Sequence, residues 1–169
     1  MAMRWTQLRT VVEAGFADEL AGRLRIHATG YGNSPWGRSW MTFDGIEFVH
    51  FSDDEAYQRR GGWGIPWVLP GDGRSPKLLA ESGEFSSSEF KDACFIVKDL
   101  TVEDALATGN PLLSALACAN RKVGTRTLRR LSSTSDLHPL VAHIIDLRLR
   151  AKPRYAPADV HPSGPLRSV

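Results

Sequence analysis

Asp44-Gly45 lies between two β-prone runs, residues 38–43 and 46–51, and no other short feature constrains the fold as tightly. An Asp-Gly loop of two residues needs φ > 0 at both positions and joins its flanks as an antiparallel hairpin. Upstream, Leu24, Ile26 and Ala28 alternate with Arg23, Arg25, His27 and Thr29, the period of a strand buried on one face. Residues 30–35 read as a loop, so a meander of three strands is expected. Trp40, Phe43, Ile46, Phe48, Val49 and Phe51 should supply its cross-strand packing. Three strands leave a face that another element must cover. The nearest candidate is 4–20, where Trp5, Leu8, Val12, Phe16 and Leu20 recur at helical spacing.

After the hairpin the punctuation is helical. Ser52 to Glu55 fits a capping box and opens a short helix reaching about Arg60. Residues 61–76 are rich in Gly and Pro, carry Trp63 and Trp67, and read as a long irregular loop. Ser86 and Glu89 form a second capping box, with Phe85 and Phe90 placed as its hydrophobic staple, and the helix should run to about Lys98. Thr101 caps a short helix that Gly109 stops. Asn110-Pro111 opens a buried helix that Gly124 should end. A short helix is expected over 126–131 and a last one from Pro139 to about Ala151. The tail 152–169, with four Pro and little apolar content, predicts disorder. The sum is an α+β domain over 1–151: helix plus meander to 60, the loop, then a cluster of short helices over 77–151.

The formal charge of +2 hides an asymmetry. Residues 111–169 hold ten Lys or Arg against three Asp or Glu; residues 1–110 hold eleven against sixteen. Charge of this kind bears on partners rather than on fold. The basic run Arg121, Lys122, Arg126, Arg129 and Arg130 contains no acid, and at helical spacing 122, 126 and 129 share one face. It fits a solvated face, a nucleic-acid backbone or an acidic partner. Arg148, Arg150, Lys152 and Arg154 read as a basic arm joining the last helix to the tail. Asp44, Glu47, Asp53, Asp54 and Glu55 surround the hairpin and the next helix start. Asp44 fits a turn residue and Asp53, Asp54 and Glu55 fit a helix N-terminus; with Trp63 and Trp67 these acids are also the expected docking surface for a protein partner.

Motifs for catalysis and cofactors are missing. The chain has no Gly-x-Ser-x-Gly, P-loop, Rossmann glycine pattern or His-Glu-x-x-His. Cys94 and Cys118 sit among apolar neighbours and read as buried thiols. His50 with Asp53 is the one acid–base pair that spacing suggests, and a structural histidine is the plainer reading. No metal or cofactor is implied. The start of the chain shows no signal-peptide core, and no stretch approaches the ~20 apolar residues of a membrane span, so a cytoplasmic protein is expected.

Several pieces stand out together: Arg4-Trp5-x-x-Leu8, Phe16-Ala17-Asp18, and Gly37-Arg38-Ser39-Trp40-Met41-Thr42 followed by Asp44-Gly45. Further on come Asn110-Pro111 with Ala115-Leu116-Ala117, the stretch Arg121 to Leu128, and His138-Pro139-Leu140-Val141. Taken together they resemble a family of small bacterial proteins of unknown function. The likeness spans most of 4–150 without the Gly/Pro loop and the tail. It implies one bacterial domain and carries no catalytic or binding residues. Two roles follow from the residues. The leading one is a non-catalytic interaction protein of regulatory or toxin-neutralising type, acting through 44–74. The second is a nucleic-acid-binding accessory protein acting through 121–130 and 148–154. A small hydrolase ranks third, and a homodimer built on the sheet edge or the loop fits either role.

Overall fold

Asp44 (φ +51°) and Gly45 (φ +81°) take the left-handed backbone that the hairpin turn requires. The structure is a computed structural model and describes residues 3–30, 36–61 and 79–151. The turn joins β2 (Gly37–Phe43) to β3 (Ile46–Ser52), and β1 (Leu24–Gly30) pairs with the other side of β2, in the antiparallel order β1-β2-β3. Leu24, Ile26, Met41, Val49 and Phe51 fill the buried face. Ser39 and Met41 occupy the inward phase of β2, so Trp40 falls on the outer face beside Arg38 and Thr42.

The register slips once, with Met41 opposite Val49 but Thr42 opposite Glu47. Phe48 is the extra residue. A bulge re-aims the side chain it carries, and the Phe48 ring meets His143 at 4.8 Å. Ile46, expected in the cross-strand packing, is instead 73% exposed because it flanks the turn opposite Phe43.

The first helix is shorter than its apolar spacing suggests: α1 spans Trp5–Ala14, not 4–20. The chain leaves the helix at Gly15 to pair with another segment. Ala17 N–H donates to Ala119 O at 2.9 Å, Arg121 N–H donates to Gly15 O at 2.9 Å, and Phe16 bridges Asn120. The same exchange stops the buried helix at Ala119, short of Gly124. Both helices are shorter than the sequence predicts for this one reason. Phe16 and Leu20 stay buried without being helical, so period alone could not reveal the break.

A helix of ten residues is about 15 Å long, and α1 lies along β1 and against α3. It closes part of that edge: the Glu13 carboxylate accepts Ile26 N–H at 2.9 Å and pairs with Arg25 at 3.2 Å. An edge N–H so engaged offers nothing to an added strand.

After α2 (Asp53–Arg59), α3 (Ser87–Val97) covers β2 and β3, and Phe90 stacks on Phe51 at 4.6 Å. The capping box of α3 is complete: Ser86 Oγ accepts Glu89 N–H at 3.0 Å and Glu89 accepts Ser86 N–H at 2.7 Å. Thr101 caps α4 (Val102–Ala107), and Gly109 (φ +67°) follows it. Asn110 caps α5 (Pro111–Ala119) by accepting from Leu112 and Leu113 N–H. α6 (Thr125–Ser132) and α7 (Pro139–Arg150) complete the described elements, and α7 packs on α5 and α6. The fold is therefore α+β, with one apolar cluster joining α1, the sheet and the helices behind it.

Candidate interaction site

The acids expected to form a docking surface are largely engaged within the chain. Asp44 receives Arg23 on both oxygens, at 2.6 and 2.9 Å. Glu47 pairs with Arg38. Asp54 accepts from Gln58 in the first turn of α2. Asp53 departs most from expectation. It is 7% exposed and holds two segments together, accepting Gly37 N–H at 2.7 Å and Ser88 N–H at 2.8 Å. Its carboxylate turns inward because α2 begins at the point where β2 and α3 meet. Trp63 and Trp67 lie outside the described residues.

On the outer sheet face the side chains make a connected strip. His27 stacks on Trp40 at 5.0 Å, and Arg38 lies over the same indole at 4.7 Å. His50 reaches Glu47 through Nδ1 at 3.4 Å and Glu55 through Nε2 at 3.3 Å. The partner of His50 is thus Glu55, not Asp53. That hydrogen bond raises the His50 pKa above its ordinary 6.5 and lowers Glu55 below 4.5. Burial opposes both shifts, and Glu47 and Arg38 act on His50 in opposite senses.

The linkage follows from those directions. The His50 contribution is full below pH 6.5 and fades as pH rises through its raised folded value. The Glu55 contribution is full above pH 4.5 and fades as pH falls through its lowered value. The melting-temperature gap between the native protein and His50→Gln should therefore be widest between about pH 4.5 and 6.5. Melting curves across pH 3–9 check this, and a gap independent of pH rules the pair out.

A cavity of about 480 Å³ opens beside Asp53, lined also by Trp36, Tyr57, Arg60, Ser86 and Ser88. Trp36 meets Tyr57 edge-on at 4.9 Å. The polar groups around it carry structural bonds: Arg60 grips both Glu89 oxygens, and Ser86 caps α3. Neither His27 nor His50 lines it, nor does either cysteine. Cys94 and Cys118 are buried thiols, and desolvation pushes the pKa of Cys94 strongly upward and that of Cys118 up to about 11. Neither has the thiolate character of a nucleophile. Among the described residues, no group of three or more His, Cys, Asp or Glu could hold a metal ion. Nor is any helix among them long and apolar enough to cross a membrane.

The basic half divides in two. Arg148, read from sequence as part of a terminal arm, is 8% exposed and interior. Its Nε donates to Glu19 at 2.8 Å, and one terminal nitrogen donates to Cys118 O and Asn120 O at 3.0 and 2.8 Å. It thereby satisfies carbonyls at the end of α5 that no helical N–H reaches. Arg150 of the same cluster is exposed and pairs with Asp146, while Lys152 and Arg154 lie outside the described residues.

Arg121, Lys122, Arg126, Arg129 and Arg130 behave differently. All five are exposed, and none has an acid partner among the described residues. Lys122 sits in the turn before α6 rather than on its face, so the shared helical stripe reduces to α6 itself. Leu128 is the buried anchor of that helix, which sends Arg126, Arg129 and Arg130 outward. Arg129 and Arg130 occupy its last turn, where a helix favours cations.

A family model matches residues 4–65 and 72–149. The chain belongs to the SF0329 protein family. No curated protein and no solved structure matches it. The SF0329 match takes in every described element except the last residue of α7, and its break falls inside the Gly/Pro segment. The family is one of unknown function, so its membership assigns no residue a role.

Two features of this SF0329 chain escaped the sequence reading. The His50–Glu55 contact joins β3 to α2 across the cap, and strand alternation places only the histidine. The burial of Arg148 had a signal: in α7 it lies four residues past Ile144 and seven past Val141, on their buried face.

Proposed function

We propose that this SF0329 protein is a non-catalytic interaction protein that docks an acidic protein partner on its basic back. The supporting observation is the contrast in pairing. Asp44, Glu47, Glu55 and Glu89 have cationic or histidine partners, whereas Arg121, Lys122, Arg126, Arg129 and Arg130 stand exposed without acids among the described residues. Arg126 and Arg130 repel at i,i+4, a modest cost to α6 that an anionic partner relieves. Regulatory adaptors and toxin-neutralising proteins work in this way, by contact alone. The same reading places the protein in a reducing cytoplasm, where Cys94 and Cys118 remain thiols.

Nucleic acid is the second reading, favoured by the same five cations. Against it, the stretch 121–130 carries no aromatic residue on which a base could stack. The test is direct. Poly-glutamate and an RNA oligonucleotide are titrated against the native protein and an Arg126→Glu/Arg129→Glu/Arg130→Glu variant at several salt concentrations. The acidic polymer should bind the native protein and lose at least about tenfold in affinity, ~1.4 kcal/mol, with the variant. Preferential RNA binding, with a log–log salt slope of roughly −4 to −5 for five phosphate contacts, would move the assignment to nucleic acid. Retention unchanged by the reversal ends both readings.

A further inference from the structure

Next to the basic face lies a groove of about 270 Å³. Its floor is apolar: Val11, Phe16, Val97, Leu100, Val102 and Leu116, drawn from the ends of α1 and α3, the start of α4 and the side of α5. Its rim is cationic: Lys98, Arg121 and Lys122. Val11 is 48% exposed, an uncovered apolar wall. Lys98 pairs with Asp99 and lies over the Phe95 ring at 4.5 Å. Arg121 and Lys122 have no acid partner among the described residues. Their backbone is fixed in place, Arg121 N–H by Gly15 O at 2.9 Å and Lys122 N–H by Asn120 Oδ1 at 2.9 Å. The backbone of the rim is thus held in place, and on binding the two side chains remain to be ordered.

We propose that this groove takes an apolar side chain carried on an acidic segment of a partner protein, with Arg121 and Lys122 receiving the flanking carboxylates. This rests on the reading of the basic back as a docking face. Size and charge select the occupant. At about 270 Å³ the groove is smaller than the ~300–1,000 Å³ of small-molecule pockets, and suits an anchoring side chain. A phosphate backbone would meet the cations but gain nothing from the apolar floor. The undescribed parts of this chain carry the wrong sign. Residues 62–78 hold Arg74 and Lys77 against Asp72, and 152–169 hold Lys152, Arg154 and Arg167 against Asp159. An acidic amphipathic segment complements both floor and rim, in the helix-in-groove manner.

The experiment uses the full chain and two fluorescent synthetic peptides: a Glu-rich helix with Leu at i, i+3, i+4 and i+7, and the same peptide with every Leu replaced by Ser. Anisotropy gives affinities, and amide shifts in ¹H–¹⁵N spectra give the location. The Leu peptide should bind at least about tenfold more tightly, ~1.4 kcal/mol, and shift amides over 11–16, 97–102 and 116–122. Val11→Gln, exposed and helix-compatible, should remove most of that advantage, and Lys122→Glu should weaken both peptides. Equal binding of the two peptides, both sensitive to Lys122→Glu, overturns the groove and leaves the docking face standing. No binding of either peptide, of poly-glutamate or of RNA overturns the face and the groove together. A self-association abolished by Val11→Gln without peptide binding assigns the groove to a second copy, and shifts confined to another surface also overturn it.

Discussion

Arg148→Met is expected to destabilise the protein by roughly 3–5 kcal/mol, on the order of 10 °C in melting temperature for a chain of this size. The side chain is 6% exposed and serves three acceptors on two segments: Glu19, Cys118 O and Asn120 O. Methionine fills the space but donates nothing. It leaves a carboxylate and two carbonyls with lost partners, which costs far more than the pair contributes net. Arg150→Ala, close by on the same helix with a side chain 80% exposed, should change stability by no more than about 0.5 kcal/mol. Adding Glu19→Gln to Arg148→Met should recover part of the loss by removing the stranded charge. Thermal melts of the four proteins decide the matter, and an Arg148→Met protein melting with the native one refutes the role.

Asp53→Ala should cost roughly 2–4 kcal/mol, because it strips the acceptor from Gly37 N–H and Ser88 N–H at once. Gly37 is buried, so water does not readily replace the carboxylate there. Asp53→Asn, with one acceptor oxygen in place of two, should fall between. Asp54→Ala, next in sequence but exposed, should lose only a few tenths of a kcal/mol from the first turn of α2. Chemical denaturation of the three variants gives the ranking. If Asp53→Ala and Asp54→Ala prove equal, the carboxylate does not join β2 to α3.

What the sequence disclosed divides along physical lines. Caps and turns were legible because they are local: Asp44-Gly45, Ser86 with Glu89, Thr101, Asn110-Pro111 and Gly109 each act within a few residues. The helix ends at Ala14 and Ala119 were not, because the bonds that stop them join segments more than a hundred residues apart. Alternation placed His27 on the outer face of β1, where it stacks on Trp40, but the bulge at Phe48 lay beyond it. Among the acids, composition suggested a shared surface. Position decided otherwise, since Asp53 faces the interior and Asp44 and Glu47 face arginines. The basic run is visible in the sequence as a run. Its exposure without acid partners is a property of the tertiary fold alone.

The bridge of Phe16 to Asn120, reinforced by Arg148 on Glu19, has a bearing on synthesis. The exit of the first helix finds its backbone partners only in residues made much later, and the guanidinium that steadies them comes later still. Contacts so distant in sequence slow folding through the entropy of closing the intervening chain. On the ribosome the meander emerges early with only α1 beside β1, the rest of its inner face uncovered until α3 arrives and its seam with the helices open until α7 does. During that interval the growing polypeptide is most exposed to aggregation and to chaperones.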